Sequence, residues 1–366
     1  MSSKASQSPA VDNAEGITPA ELRLAARNHG LPLEALQYDL TPAGLHYLLI
    51  HYDIPVVDAA AWRLTVGGLV ENELSLSLDD LRARPAVSVP VTMECAGNGR
   101  ARLSPRPISQ PWLLEAVGTA EWTGVPLRDL LVEAGVSDSA ESIVFTGLDR
   151  GVEGDEEQQY ERALTPDEAG AGDVLLAYSM NGQPLPPQHG FPLRLVVPGW
   201  YGMTNVKWLE RITVLDRPFE GYQQESGYRF RQTADEPGEP VTRMVPRSLM
   251  TPPGIPNFAD RERLIEPGPT TIRGRAWSGH GAIERVEVSG DGGATWADAT
   301  LGPQVGPHAW RSWEFGWTAS EGVHELCCRA TDAAGNTQPL DAPWNLGGYA
   351  NNEVQRVGVT VLATSD

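Results

Sequence analysis

Cysteine, cationic residues and long apolar runs are all in short supply. The 366 residues contain three cysteines, two of them the adjacent Cys327 and Cys328, which cannot build a disulfide framework. Neither C-x-x-C nor H-E-x-x-H occurs, so the usual zinc ligand sets are excluded. Lysine and arginine number 28 against 48 aspartates and glutamates, a formal charge of −20. That balance repels nucleic acid and anionic lipid. No run of about 18 apolar residues exists, so no membrane insertion is expected. The opening MSSKASQSPAVDNAEG has no apolar core and no paired arginines, and the expected location is the cytoplasm, or the periplasm if the start is trimmed. The phosphate-cradling G-x-x-x-x-G-K and the nucleophile elbow G-x-S-x-G are missing, and Arg102 stands where a dinucleotide loop begun at Gly97 needs its third glycine.

What is present points to sheet. The length suggests two domains at ~150 residues each, and 38 glycines and 30 prolines punctuate the chain without a period. Residues 1–17 are small and polar and read as a disordered arm. Thr18 and Pro19 open a helix predicted to close at Gly30. Strands are predicted at 62–70, at 87–93 with Pro90 marking an edge or a bend, at 141–149, and around an Asn181-Gly182 hairpin turn; VPLRDLLVEAG (125–135) reads as a short helix. After Thr251-Pro-Pro-Gly the pattern becomes six or seven evenly spaced short strands, with Asp291-Gly292-Gly293 between two of them. The predicted fold is α+β: a mixed α/β domain over 18–250, then an all-β immunoglobulin-like sandwich over 251–366. Cys327 and Cys328, pointing to opposite faces of one strand, read as structural.

The chemistry concentrates in two places. TMECAGNGR (92–100) puts a lone cysteine, Cys95, where an apolar strand meets a glycine-rich loop. It is either a thiolate that binds a soft metal or attacks a substrate, or a small buried residue before a turn. Acids are absent from 95–114, which holds Arg100, Arg102 and Arg106, and from 174–209, which holds His189, Arg194 and Lys207. Cations in apolar strands need an anionic partner, and none is local, so a bound polyanion is one explanation and charge-excluding buried strands the other. Among the surrounding aromatics, Tyr228 has a hydroxyl suited to donate at a site.

TMECAGNGR, GLD (147–149), LLAYSMNGQPLPPQHGFPLRLVVPGWYGMTNVKW (175–208) and the series AWSG, VEVSGDGGATW and APWNL together resemble the sulfite oxidase family of molybdenum enzymes, in order, over roughly 40–366. The resemblance implies a molybdopterin-binding domain followed by an immunoglobulin-like dimerisation domain, and hence a homodimer. It implies that Cys95 is the protein ligand to molybdenum, and that Tyr47, His51, Asp149, His189, Arg194, Asn205, Val206 and Lys207 hold the pterin and its phosphate. Arg100 and Tyr228 fall at positions of the substrate pocket, catalytic with Cys95. The implied reaction is oxygen-atom transfer on a small sulfur oxyanion, sulfite to sulfate, with electrons passing to an external acceptor such as a cytochrome c. No haem is expected, since C-x-x-C-H is absent.

Two pocket arginines of the family are replaced. Leu49 and Gly347 stand at their positions, and Arg27-Asn28-His29 reads as a helix end rather than a displaced copy. The loss weakens the preference for a dianion, which leaves open the reverse reaction, reduction of a sulfoxide or other oxide, and a cofactor-free binding or assembly role. His51 is a candidate to take over part of the missing arginine's work.

Overall fold

The computed structural model describes residues 10–11 and 16–363. Of the arm expected to be disordered, 1–9 and 12–15 lie outside the described residues, while Ala10–Val11 pair with Arg106–Pro107.

Two five-stranded sheets build the first part of the chain. One runs in the order Gln183–Pro184, Leu175–Met180, Val117–Pro126, Val87–Glu94, with Arg194–Val196 also paired to Leu175–Met180. The other runs Leu74–Leu76, Leu64–Gly68, Leu209–Leu215, Ser142–Glu153, Glu156–Leu164. Alternating apolar residues of both sheets, among them Val66, Phe145, Leu176, Leu195 and Ile212, meet in a single core. Burying each such side chain stabilises by about 1.5–3 kcal/mol.

Helix is sparser than the α+β expectation. Among the described residues there are five α-helices, and the largest, Leu127–Ala134, has eight residues, closed by Gly135 at φ 67°. The helix begun at Thr18 ends at Ala25 rather than reaching Gly30. Asn28 explains the early stop: its amide donates to Leu24 O at 2.9 Å and Gln110 Oε1 at 2.9 Å, while its Oδ1 accepts from Ile50 N at 2.6 Å. A short polar side chain here competes with the helix for backbone partners.

Two sequence signals translate directly into geometry. Asn181 and Gly182, at φ 52° and 72°, join the strands Leu175–Met180 and Gln183–Pro184, as a primed turn requires. The strand containing Pro90 is an edge strand, and its open side is covered where Thr92 N donates to His308 O at 2.9 Å.

The second part is a two-sheet sandwich. Arg247–Thr251, Gly268–Trp277, Arg311–Ala319 and Thr300–Gln304 form one sheet. The other is built on Arg263–Ile265, Gln355–Val361, Gly322–Asp332 and Ile283–Ser289, with short strands at both edges. Met250, Ile272, Val286, Trp313, Leu326 and Val359 fill the space between them. The strand Arg247–Thr251, on the N-terminal side of the Pro-Pro-Gly break, pairs with Gly268–Trp277. Cys327 and Cys328 are both fully buried, and the Cys328 thiol donates to Ser248 O at 3.5 Å. None of the described helices is long and apolar enough to cross a membrane.

Candidate active site

Cys95 follows the edge strand Val87–Glu94. Its N–H donates to Ala116 O at 2.9 Å, and its carbonyl accepts from Asn98 N at 2.9 Å, which turns the chain back at once. Gly97 leaves room in this turn for the Arg100 guanidinium, which a Cβ there would approach to 2.6 Å. The thiol is buried and lines a cavity between the two sheets' ends. Burial pushes it up, against the pull of the Arg100 charge and hydrogen bonds from Gly97 and Trp112. A thiol in this state becomes a thiolate when a metal takes the proton's place.

Cations line the same cavity. Arg194, buried at 5% exposure, donates to His189 O at 3.0 Å and Asn205 O at 3.2 Å and lies 4.6 Å from the Trp122 ring centroid; its Nε has no partner. Lys207, partly buried, donates to Leu49 O at 2.7 Å and Gln188 O at 3.3 Å. Among the described residues neither has a carboxylate within ion-pair distance. Gly190, at φ 108°, makes this packing possible: a Cβ there would lie 3.0 Å from Lys207 Cβ and 3.2 Å from Arg194 Cβ.

The electrostatics reflect that shortage of anions. Burial and the Arg194 charge push Lys207 down to about 7, with Asp149 opposing. Burial pushes Asp149 up to about 6, against the pull of Lys207 and His51. Burial also drives His46 down to about 4 and His189 to about 2, so both imidazoles are neutral at neutral pH. The Tyr228 phenol is held far above its ordinary range by burial and by Tyr160, which keeps its hydroxyl a donor.

Nine residues singled out from the sequence line this one cavity. They are Cys95, Tyr47, His51, Asp149 and His189, together with Arg194, Asn205, Lys207 and Tyr228. Asn205 faces it with its amide already engaged, since Oδ1 accepts from Val197 N and Nδ2 donates to Tyr201 O.

Two residues depart from expectation. Arg100 does not line the cavity. Its Nε donates to Gly347 O at 3.1 Å and its Nη1 to Ser109 Oγ at 3.1 Å, with the guanidinium 5.2 Å from the Tyr349 ring; protein acceptors hold the group that a substrate was expected to meet. Val206 is a core residue between the sheets, and its N–H and C=O are bonded to Thr204 and Leu195. Leu49 is in the cavity wall. Arg27 is half exposed, donating to Tyr52 O at 2.8 Å.

Sequence reasoning missed His46 and Tyr160, which line the cavity, and Glu153 and Gln223, which lie behind it. His46 stands in the apolar run LHYLLIH, where it reads as core, and its ring packs at 5.5 Å against His189. Tyr160 lies on the strand Glu156–Leu164, whose sequence EEQQYERAL is too charged to signal a strand. Among the described residues no three His, Cys, Asp or Glu side chains cluster as a metal site. A metal held here by Cys95 therefore has to bring its remaining ligands with it, and an anionic organic ligand set is what Arg194 and Lys207 can pair with.

Comparison with known proteins agrees with that donor set. Residues 51–223 match the oxidoreductase molybdopterin binding domain, and 248–362 match the Mo-co oxidoreductase dimerisation domain. Sulfite oxidase of Gallus gallus is 40% identical over 341 residues, covering 87% of this chain and 72% of that protein. A nitrate reductase of Ulva prolifera is 34% identical, covering 87% of this chain and 40% of that one. The chain spans 62% of the length of the mammalian sulfite oxidases it matches. In structure it is similar to the sulfane dehydrogenase SoxCD of Paracoccus pantotrophus, with a TM-score of 0.79 at 27% identity over 100% of this chain and 98% of that one. A buried thiol in one cavity with two cations that have no carboxylate at ion-pair distance among the described residues, both matching domains and 40% identity to a sulfite oxidase place this chain in the sulfite oxidase family of molybdopterin-dependent oxidoreductases.

Proposed function

We propose that this chain binds a molybdenum–molybdopterin group through the Cys95 thiolate and oxidises a small sulfur oxyanion, sulfite to sulfate, with water as the oxygen source. The observation that carries the reading is the Cys95 thiol sharing a cavity with Arg194 and Lys207, neither of which has a carboxylate partner among the described residues. Arg194 and Lys207 would meet the anionic end of the group, with Tyr47, His51, Asp149, His189 and Asn205 against its organic part. When bound, the group supplies a two-electron centre for oxygen-atom transfer. Tyr228 offers a hydroxyl that stays protonated, and Leu48, Leu49 and Met203 make up an apolar part of the cavity wall. Arg100 would act through its charge near Cys95 rather than by touching the oxyanion. Electrons would leave to a separate one-electron acceptor such as a cytochrome c. In this reading 18–250 binds the group, and 251–366, an immunoglobulin-like sandwich, joins two copies as a homodimer.

A second reading has a specific observation behind it. With Arg100 bonded to Gly347 and Ser109 and Leu49 in the cavity wall, the site holds less positive charge for a free dianion. A less charged sulfur compound, such as a sulfane sulfur or a sulfoxide, suits it better.

One experiment tests both. Protein from a cofactor-competent host is expected to hold one molybdenum per chain and to reduce cytochrome c or ferricyanide with sulfite, an activity lost in Cys95→Ser. A wild-type chain that takes up no molybdenum, or full activity in Cys95→Ser, would end the proposal. Full metal content with oxidation of sulfane sulfur but not sulfite would select the second reading.

A further inference from the structure

Transfer of oxygen from water to a sulfur oxyanion breaks both O–H bonds of the water. Two electrons pass through the bound redox group to a one-electron acceptor of the ferric-haem class, and two protons must reach solvent. Most groups lining the cavity are fixed in one protonation state. His46 and His189 are neutral, Tyr47, Tyr160 and Tyr228 retain their protons, and Arg194 remains a cation. Asp149 and Lys207 titrate nearer neutrality, but Asp149 is only 4% exposed, and the Lys207 ammonium is bonded to backbone carbonyls.

His51 differs from all of these. It lines the cavity and makes a direct hydrogen bond to a side chain that reaches water. Its Nε2–H donates to Glu153 Oε2 at 3.0 Å, and the Glu153 side chain is 37% exposed. The same Oε2 accepts from the Tyr52 hydroxyl at 3.0 Å and from Gln223 Nε2 at 2.7 Å. Three donors on one oxygen hold the carboxylate, and Gln223 Nε2 also lies 3.2 Å from His51 Nε2; in the tautomer with Nε2–H toward the carboxylate, Nδ1 is the ring atom open to an incoming proton. Tyr52 and Tyr160 hold the imidazole edge-on at 4.6 and 5.2 Å. Among the described residues, the charged and titratable groups facing the pair are Asp149 from the same strand as Glu153, Tyr160 from the next strand, Tyr52 from the adjoining loop, Tyr222 from the short helix that carries Gln223, and Tyr228 beyond that helix.

We propose that His51 and Glu153 form the proton exit of this site: His51 takes a proton at Nδ1 from the cavity and releases the one at Nε2 to Glu153, which passes it to solvent. The inference rests on the oxygen-atom transfer proposed above. Burial alone would raise the Glu153 carboxyl, but hydrogen bonds from His51, Gln223 and Tyr52 outweigh it and hold the group below the ordinary range. Glu153 thus stays a carboxylate able to accept the proton from His51, and it does not touch the reacting atoms.

The test uses the molybdenum-loaded full chain with Glu153→Gln, Glu153→Asp and His51→Gln, following metal content, the pH profile of kcat and the histidine-ring titration by NMR. With the carboxylate charge removed, the imidazolium is easier to deprotonate. Glu153→Gln is therefore expected to move both the acidic limb of kcat and the ring signal to lower pH, with kcat about tenfold lower. Glu153→Asp restores the limb, and His51→Gln abolishes it, kcat being taken per molybdenum bound. An acidic limb unmoved in Glu153→Gln, or one that persists in His51→Gln, overturns the proposal and leaves His51 as a holding residue. A wild-type chain without molybdenum or sulfur-oxidising activity would instead bring down the parent reading, and the relay with it.

Discussion

Glu94, the residue before Cys95, is ion-paired to Arg247 of the sandwich at 3.0 Å, each side chain 1% exposed. Its two oxygens also accept from Asn98 Nδ2 at 3.0 Å and from Trp277 Nε1 at 2.8 Å. The loop that presents the thiol is therefore fixed from the sandwich side by a strand pair, Arg247 on one strand and Trp277 directly opposite it on the next. The second part of the chain thus helps to position the cysteine.

Breaking this pair from one side leaves a buried charge with no counter-charge. Glu94→Gln and Arg247→Met are each expected to destabilise by about 3–5 kcal/mol, read from urea unfolding. The Glu94→Leu/Arg247→Leu double variant should lose less than either single change, because both charges go together. Glu94→Gln should also lower molybdenum content under conditions where the protein stays folded.

Local chemistry was the legible part of this chain. Asn181-Gly182, Pro90 and the cysteine-to-glycine transition each describe a backbone event within a few residues, and each occurs where the sequence puts it. Arg194 and Lys207 were readable because acids are missing around them. Arg100 was singled out by the family resemblance, and the contact that holds its Nε, the carbonyl of Gly347, lies 247 residues away and leaves no signal in the sequence around it. The pairing of His51 with Glu153 spans 102 residues and leaves no spacing signal. It depends on how the Ser142–Glu153 and Glu156–Leu164 hairpin leans toward the loop holding His51.

Lys207 carries a charge that the cofactor-free chain does not need. Lys207→Met is expected to stabilise that form by about 1–3 kcal/mol, while molybdenum retention is lost. The group is pushed from 10.5 down to about 7 on folding, so the folded chain binds fewer protons than the unfolded chain between those values. Stability of the wild type therefore rises with pH across that window. The advantage of Lys207→Met should be largest near pH 7 and shrink toward pH 10.5. Thermal melts of both cofactor-free proteins across this range check the sign.

His46 works at the acid end. Its ring is driven from 6.5 down to about 4, so acid protonates the unfolded chain first. The stability it permits is complete above about pH 6.5 and is lost as pH falls toward 4. At about 1.4 kcal/mol per unit, the loss from this residue is about 3 kcal/mol. Asp149, raised to about 6, acts in the opposite sense between 6 and 3.8, so the comparison must be made within one background. His46→Phe should flatten the fall in melting temperature between pH 6.5 and 4; an unchanged slope would mean that the imidazole takes its proton in the folded state.

Leu49 offers a direct test of the charge the substrate carries. Its side chain lines the cavity, and its carbonyl accepts from Lys207 Nζ at 2.7 Å, so a cation introduced there would face the same space as Cys95. If the physiological substrate is a dianion, Leu49→Arg should lower the KM for sulfite about tenfold, equivalent to about 1.4 kcal/mol, with kcat little changed. That gain should fade as salt is raised, since the new attraction is electrostatic. A substrate with little charge gains nothing from the arginine, and its KM should rise as the added side chain takes up room. Comparing sulfite with a sulfane or sulfoxide substrate in the same variant, at two ionic strengths, therefore separates the two readings of the site by opposite changes in one constant.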